Sequence, residues 1–399
     1  MKWFTGTPCN FEGTQTFFDR DSGLTMRGLS ALGVDTGSIT LGPARADDFP
    51  EMTRATQAEL ENPAWWAALH LDGLVFYTWG QPCYINMVRA AKKAGIRVAQ
   101  VTDTQGIMSP VSDWKSHLLS EAAHYWHEPR WKQLCRTLGK VPYTHTLRLI
   151  QRDVQFARTI VAGDLFLAAT PSAAVRFKRF VRILQGEEAS NKIQFVPIPV
   201  NFHFSYSATD RKQDEVIAVG RWDSLQKRTP LLLNTISLAL QKNPEITYSI
   251  FGQASPEMET WHRTLPVLQQ AKVKLEGTVS NATLAAAYRR AKVMLVSAAY
   301  EGCHNASAEA ICSGASVVGC RSPFLGAIEW HTSRSSGRLA ERATGESLSQ
   351  ALLDELAAWD RGERDPITIS KTWASDFHPD RVAAQILNLF GETAPSPCL

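Results

Sequence analysis

The stretch VMLVSAAYEGCHNASAEAICSGASVVG, running from Val293 to Gly319, decides how the chain is read. It opens on an apolar run of strand-forming residues, Val293–Ser297, and passes through a loop holding Glu301 and Gly302. A helical pattern then begins near Asn305, carries Glu309 and stops at Gly314, which is placed for a left-handed C-cap before the next apolar run, Ser316–Gly319. Strand, loop, helix and strand in that order is the repeating unit of a parallel sheet covered by helices. The same unit aims free backbone N–H groups and the positive helix end at whatever occupies the loop, as in α/β proteins that hold phosphate. Gly302, lacking a Cβ, permits close backbone approach.

Two carboxylates beside an anion site conflict with it, since like charges repel by a few kcal/mol in a partly desolvated cleft. They fit if their partners are hydroxyls, because an ionised carboxylate accepts paired hydrogen bonds from a vicinal diol. Ribose and hexose both carry such diols, so phosphate and carboxylates together indicate a nucleotide sugar. The counter-charge lies upstream, in Gly220-Arg221-Trp222-Asp223-Ser224-Leu225-Gln226-Lys227-Arg228, which follows the strand run Val216–Val219. Arg221 at the strand end and Lys227 just before a helix can converge on a pyrophosphate and neutralise the charge that develops as it leaves, so no metal and no cofactor is expected.

Working outward, the second half shows further strand runs at Ile246–Phe251 and Val273–Glu276. Thr229 reads as the N-cap of a helix over Leu231–Gln241 with Pro230 at its first position, and Ser280 or Asn281 caps the stretch leading to Tyr288. The first half repeats the grammar more faintly, with strands at Lys2–Thr5, Thr36–Leu41, Gly73–Thr78, Arg97–Thr102, Leu165–Ala169 and Gln194–Pro197. Helices are predicted at Leu24–Leu32, Ile85–Ala94 and Ser172–Leu184. The polar stretch Val200–Asp214, after Pro197 and Pro199, reads as a boundary. The expectation is two doubly wound, Rossmann-like α/β domains, residues 1–204 and 205–375, facing each other across a cleft at the carboxyl ends of their sheets. A loop containing Trp373 and Phe377 leads to a final helix, Arg381–Phe390, within a 376–399 segment that crosses back to the first domain.

Composition agrees and excludes other classes. A chain of 399 residues suits two cores of about 200 residues each. With 44% hydrophobic and 20% charged residues it is globular rather than disordered or a membrane bundle. Lys and Arg total 42 against 39 Asp and Glu, a net charge of +3, so nothing drives the whole chain toward nucleic acid. Seven cysteines, odd in number and without a C-x-x-C pair, argue against a disulfide framework and a zinc knuckle. The start, MKWFTGTPCNFEG, lacks the apolar core of a signal peptide, and no run of about 18 apolar residues occurs. The expected location is the cytoplasm, at most peripheral to the inner membrane surface.

With Glu301, Glu309, Arg221 and Lys227 in place, the chain resembles the retaining glycosyltransferases of the GT-B fold, family 4, whose hallmark is E-x7-E in a strand-loop-helix with an Arg and a Lys upstream. The family's E-G-F-G reads Glu301-Gly302-Cys303-His304 here, matching at the first two positions and departing at the next two. VRAAKKAGIRVAQVTDTQG resembles the family's helix and strand in the first domain, KIQFVPIPVNFHF its interdomain strand, and Trp373–Phe390 its returning helix. The resemblance implies that Arg221 and Lys227 hold the diphosphate of a GDP-mannose or UDP-hexose donor, Glu309 the ribose hydroxyls, and that Glu301 faces the transferred sugar. It implies donor contacts from Gly220, Gly302 and the backbone amides of Cys303, His304 and Asn305. Where many members carry a histidine after the first-domain strand, this chain has Thr102-Asp103-Thr104, and Asp103 stands in for the hydroxyl contact; near the N-terminus, Gly13 and Thr14 stand where the family's glycine loop approaches the diphosphate. The partners implied are a nucleotide sugar and a hydroxyl acceptor on a glycan, lipid or small molecule.

Plainer readings stand beside these. E-x7-E by itself occurs often by chance, and Arg221 and Lys227 taken singly read as surface cations. Asp19-Arg20-Asp21 imitates a metal-binding D-x-D but sits where a helix N-cap or first turn belongs. His124, His127 and Cys135 lack a fourth well-spaced zinc ligand, and His304 is either a plain loop residue or packed near the donor. The helix opened by Thr170-Pro171 mixes Arg176, Lys178, Arg179 and Arg182 with Val175, Phe177, Phe180 and Val181, a pattern suited to peripheral contact with anionic lipid, although a solvated face is the simpler account. Two rivals remain for the whole chain: a nucleotide-sugar-binding protein with a degenerate transferase fold, and a dinucleotide oxidoreductase, against which stands the lack of G-x-G-x-x-G after any strand.

Overall fold

The computed structural model describes residues 1–10, 17–107, 109–123, 129, 131, 132, 134, 135, 138, 139, 146, 147, 149–222 and 225–392. The chain forms two compact units, residues 1–199 with 379–399 and residues 200–378. The joints therefore fall after Pro199 and His378 rather than at 204/205 and 375/376. The backbone N–H of Val200 donates to the carbonyl of Phe377 at 2.8 Å, which ties the start of the polar connecting stretch into the second unit.

The first unit is built on strands β1 (Trp3–Thr7), β2 (Ser38–Leu41), β3 (Met52–Ala55), β4 (Gly73–Phe76), β5 (Arg97–Thr102), β6 (Leu165–Ala168) and β7 (Ile193–Phe195), all parallel in the order β3-β2-β1-β4-β5-β6-β7. The second holds β8 (Gln213–Val219), β9 (Thr247–Phe251), β10 (Val273–Gly277), β11 (Ala291–Leu295), β12 (Ser316–Cys320) and β13 (Gly337–Ala340), also parallel, in the order β10-β9-β8-β11-β12-β13. Helices cover both faces, so central strands are buried on both sides: Leu74, Val75 and Phe76 in β4, and Val216 and Ile217 in β8. The chain is thus α/β with two doubly wound parallel sheets.

Two strands escaped the sequence reading, β3 (MTRA) and β13 (GRLA). Each lies at the edge of its sheet, where one side meets solvent and a continuous apolar run is not needed.

Several helix starts follow their local chemistry. Thr170 accepts a hydrogen bond from the Ala173 N–H ahead of Pro171, and Ser280 accepts one from the Thr283 N–H. Thr229 does not cap its helix. The N-cap is Arg228, in the left-handed region at φ 47°, while the Thr229 hydroxyl donates to the carbonyl of Trp222. Trp373 and Phe377 lie not in a loop but on the helix Pro366–Phe377, where both are buried. The last helix, Pro379–Leu389, belongs to the first unit and packs on the helix Asp21–Ala31; Phe390 meets the ring of Trp3 at 5.0 Å, and Gln385 donates to the carbonyl of Phe195.

Among the described residues no helix is long and apolar enough to cross a membrane.

Candidate functional site

In the second sheet the strand order reverses at β8 and β11, the one neighbouring pair from which the chain winds outward in both directions. A crevice at the carboxyl ends of such a pair is where open α/β sheets take ligands. The loop after β8 carries Gly220, Arg221 and Lys227, and the loop after β11 carries Glu301.

Hydrogen bonds lock these two loops together. The Ala299 N–H donates to the carbonyl of Gln226 at 2.7 Å, the Gln226 side chain donates to the carbonyl of Tyr300 at 3.0 Å, and the Ser297 hydroxyl donates to the carbonyl of Lys227 at 2.6 Å. From the far side the Glu301 N–H donates to the carbonyl of Phe324. The β8 loop is held from behind by Trp222, whose indole N–H donates to the carbonyl of Phe251 at 2.9 Å. Just beyond, Gly252 adopts φ 103°, and a Cβ there would stand 1.9 Å from the Gly220 carbonyl oxygen. Only glycine allows the two backbones this close.

At the centre Lys227 Nζ donates to Glu301 Oε1 at 2.6 Å, with both side chains nearly buried. Burial raises the Glu301 pKa, and the charges of Lys227 and, less strongly, Arg221 oppose that rise. Arg221 itself is exposed, at the mouth of the loop. Two cations therefore face one carboxylate, leaving a net positive site beside the positive end of the helix Asn305–Cys312.

The helix start explains the departure from E-G-F-G. His304 is its N-cap at φ 47°, a left-handed conformation that favours glycine. The turn is thus kept with a histidine in the glycine's place, and the strain of about 1 kcal/mol is offset by capping, since His304 Nδ1 accepts from the Ser307 N–H at 3.3 Å. Burial, and then the charge of Lys227, holds His304 well below the ordinary histidine range, so the ring is neutral; its Nε2 lies 3.9 Å from Glu301 Oε1. His304 is therefore not a plain loop residue. Cys303 donates through Sγ to Asn305 Oδ1 at 2.8 Å, and Gly302, Cys303 and Asn305 are half-buried.

Glu309 lies farther along the same helix, half-buried, and its pKa is pushed up to about 7 by burial. Its neighbour is the Tyr288 hydroxyl, which meets it outside ordinary hydrogen-bond geometry. The loop carboxylate Glu301 is thus paired with a cation, whereas the helix carboxylate Glu309 makes no ion pair among the described residues.

The remaining candidates belong to the first unit. Asp103 follows β5 in the first unit, one strand away from that sheet's reversal at β1 and β4. Its pKa is raised, by burial first and then by the charge of Asp21. Asp21 is the first residue of its helix and Asp19 pairs with Arg27 at 3.5 Å, so the D-x-D is a helix start. Gly13 and Thr14 lie outside the described residues, as do His124 and His127. On the helix Pro171–Gln185, Arg176 is tied to Asp113 at 3.3 Å and to the carbonyl of Gln105, whereas Val175, Lys178, Arg179, Arg182 and Ile183 are exposed. Among the described residues no group of three or more His, Cys, Asp or Glu is gathered as a metal site.

Sequence reasoning missed Trp222, Gly252, Ser307 and His331. Gly252 had a readable signal, a glycine directly after a strand; the other three had none.

The chain matches glycosyl transferases group 1 over residues 213–357, a span that contains every site residue of the second unit. A sequence comparison with curated proteins finds no match. Among solved structures it is similar to Anabaena HepE in complex with UDP (TM-score 0.62, 13% identity, 98% of this chain and 100% of that one). It is similar as well to sucrose-phosphate synthase from Thermosynechococcus elongatus (TM-score 0.57, 14% identity, 98% of each chain). A third likeness is to the lipopolysaccharide outer core galactosyltransferase WaaB (TM-score 0.56, 13% identity, 98% of this chain and 99% of that one). Residues 213–357 are thus similar to glycosyl transferases group 1, in a chain with the GT-B fold.

Proposed function

We propose that the protein is a retaining, metal-independent hexosyltransferase that moves a hexose from a nucleotide-diphosphate sugar to an acceptor hydroxyl on a glycan, lipid or small molecule. The observation that carries this reading is the Lys227–Glu301 pair, held at 2.6 Å between two interlocked loops at the sheet's reversal point and beside a helix N-terminus. HepE is described with UDP and with UDP-glucose, which favours a UDP-hexose over GDP-mannose as the donor to test first.

Arg221, Lys227 and the N–H groups opening the Asn305 helix bind the diphosphate. The acceptor oxygen bonds to the anomeric carbon as the bond from that carbon to the phosphate oxygen breaks. The acceptor proton passes to the departing phosphate on the same face of the sugar. Charge builds on the diphosphate in this step, where pre-oriented cations lower the barrier most. Glu301, held by Lys227, accepts hydrogen bonds from sugar hydroxyls, and a carboxylate so engaged is not free to attack the anomeric carbon. Glu309 takes the ribose diol, with further donor contacts from Gly220, Gly302, Cys303, His304, Asn305, Asp103 and Gly13. The protein works in the cytoplasm, and the exposed Lys178, Arg179 and Arg182, flanked by Val175 and Ile183, give the first unit a face suited to an anionic membrane surface.

A second reading, a non-catalytic nucleotide-sugar-binding protein, draws support from Lys227 being already engaged by Glu301. Incubation with UDP- and GDP-hexoses, followed for release of nucleotide diphosphate with EDTA present, separates the two. Steady release supports the transferase, whereas calorimetric binding with no release over many hours would select the binding protein.

A further inference from the structure

Behind the Glu301 pair lies a buried chain of polar groups that the proposed reaction does not use. Ser307 Oγ sits 2.7 Å from His304 Nδ1, 2.6 Å from His331 Nδ1 and 3.0 Å from the His304 carbonyl oxygen. His331 closes the helix Gly326–His331 and is fully buried against Trp330, Trp373 and Phe377. Among the described residues its Nε2 has no hydrogen-bond partner.

One hydroxyl proton must serve these contacts, and donor counting assigns it. The Ser307 backbone N–H is shared between the His304 carbonyl oxygen at 3.0 Å and His304 Nδ1 at 3.3 Å; the second contact needs a bare Nδ1, so the neutral His304 ring carries its hydrogen on Nε2. Two lone pairs cannot face each other at 2.7 Å, so the Ser307 hydroxyl also donates to His304 Nδ1. The 2.6 Å contact to His331 then needs its donor on His331, at Nδ1. The His304 carbonyl, the longest of the three contacts, takes its hydrogen from the Ser307 backbone N–H at 3.0 Å, which frees the hydroxyl proton for Nδ1. Among the described residues nothing partners His331 Nε2, so of these Ser307 selects the tautomer of that ring.

We infer that His331 and Ser307 are positioning residues, which hold His304 as its Nε2–H tautomer and so present a neutral N–H donor toward Glu301 and the sugar bound there. The alternatives serve this position worse. A bare Nε2 would set its lone pair toward the Glu301 carboxylate, and a charged ring would compete with Lys227 for it. The role rests on the transferase reading of Glu301; the tautomer assignment does not.

The test uses the intact protein with its histidines labelled with ¹⁵N, read by long-range ¹H–¹⁵N correlation and assigned by through-bond correlation in the wild type. Expected are a protonated Nε2 with bare Nδ1 on His304, and a protonated Nδ1 on His331. Finding His331 protonated at Nε2, or His304 at Nδ1, overturns the inference whatever the activity. In Ser307→Ala, His331 is expected to lose its single tautomer, and turnover to fall about fivefold, with KM for the donor little changed, as for loss of a neutral hydrogen bond. A Ser307→Ala protein with wild-type tautomers on both rings also overturns it. If the tautomers stand as assigned and no sugar donor is ever turned over, the transferase reading fails and the assignment survives.

Discussion

The two units use one topology for two different ends. Each sheet reverses at a central pair of strands, β1 and β4 in the first and β8 and β11 in the second, and each raises loops at that point. In the second unit those loops are cross-linked by hydrogen bonds between residues seventy or more positions apart and hold a cation on a buried carboxylate. In the described part of the corresponding region in the first unit the bonds run between backbones, Tyr77 donating its N–H to the carbonyl of Gly6, Trp79 to that of Val101 and Gln81 to that of Thr78, while Asp103 feels the like charge of Asp21. Topology offers a crevice in both, and in the second the charged side chains Arg221 and Lys227 suit the diphosphate proposed to bind there.

Two glycines sharpen the contrast most. A Cβ on Gly252 would stand 1.9 Å from a backbone oxygen at φ 103°, whereas one on Gly80, at φ 66° after β4, would meet the side chain of Phe166 at 3.0 Å. Gly252→Ala should cost about 3 kcal/mol and abolish donor binding, and Gly80→Ala about 1 kcal/mol, measured by urea unfolding. Equal costs would mean that the two loops are equally constrained.

Lys227→Ala should lower kcat at least tenfold, about 1.4 kcal/mol or more of barrier, with the circular dichroism spectrum unchanged. An unaffected rate would remove the phosphate clamp from the second unit and with it the asymmetry.

Glu309 supplies a pH signature. Its folded pKa of about 7 lies above the ordinary 4.5, so the folded state binds the proton more tightly than the unfolded state does. Its contribution to stability is full below pH 4.5 and is lost as the pH rises toward 7, by about 1–3 kcal/mol. Thermal melts from pH 4.5 to 7.5 should show this fall, and Glu309→Gln should flatten it. Because the ionised carboxylate is the form that accepts from a diol, donor affinity should rise with pH through about 7 in the wild type only. A variant with the wild-type pH profile would break the assignment.

The smallest effect belongs to the first unit. Asp103→Asn should reduce kcat/KM about threefold to tenfold, the size of one hydroxyl contact and less than Lys227→Ala.

Alternating apolar runs in VIAV and VMLV, Pro230 and Pro171 at helix starts, and the C-cap at Gly314 follow from neighbours along the chain. Sequence therefore determined the α/β class, most strands, the loop-helix holding Glu301, and the candidate status of Arg221, Lys227 and Glu309. Edge strands β3 and β13 were not legible because a solvent-facing strand has no continuous apolar run. The capping role of His304 at positive φ, the contact of Gly252 with Gly220 and the Ser307–His331 pair depend on backbone approach between segments distant in the chain. So does the difference between the two carboxylates: both are glutamates on one stretch of sequence, and tertiary packing alone gave Glu301 a lysine and left Glu309 half-buried with its pKa raised by burial.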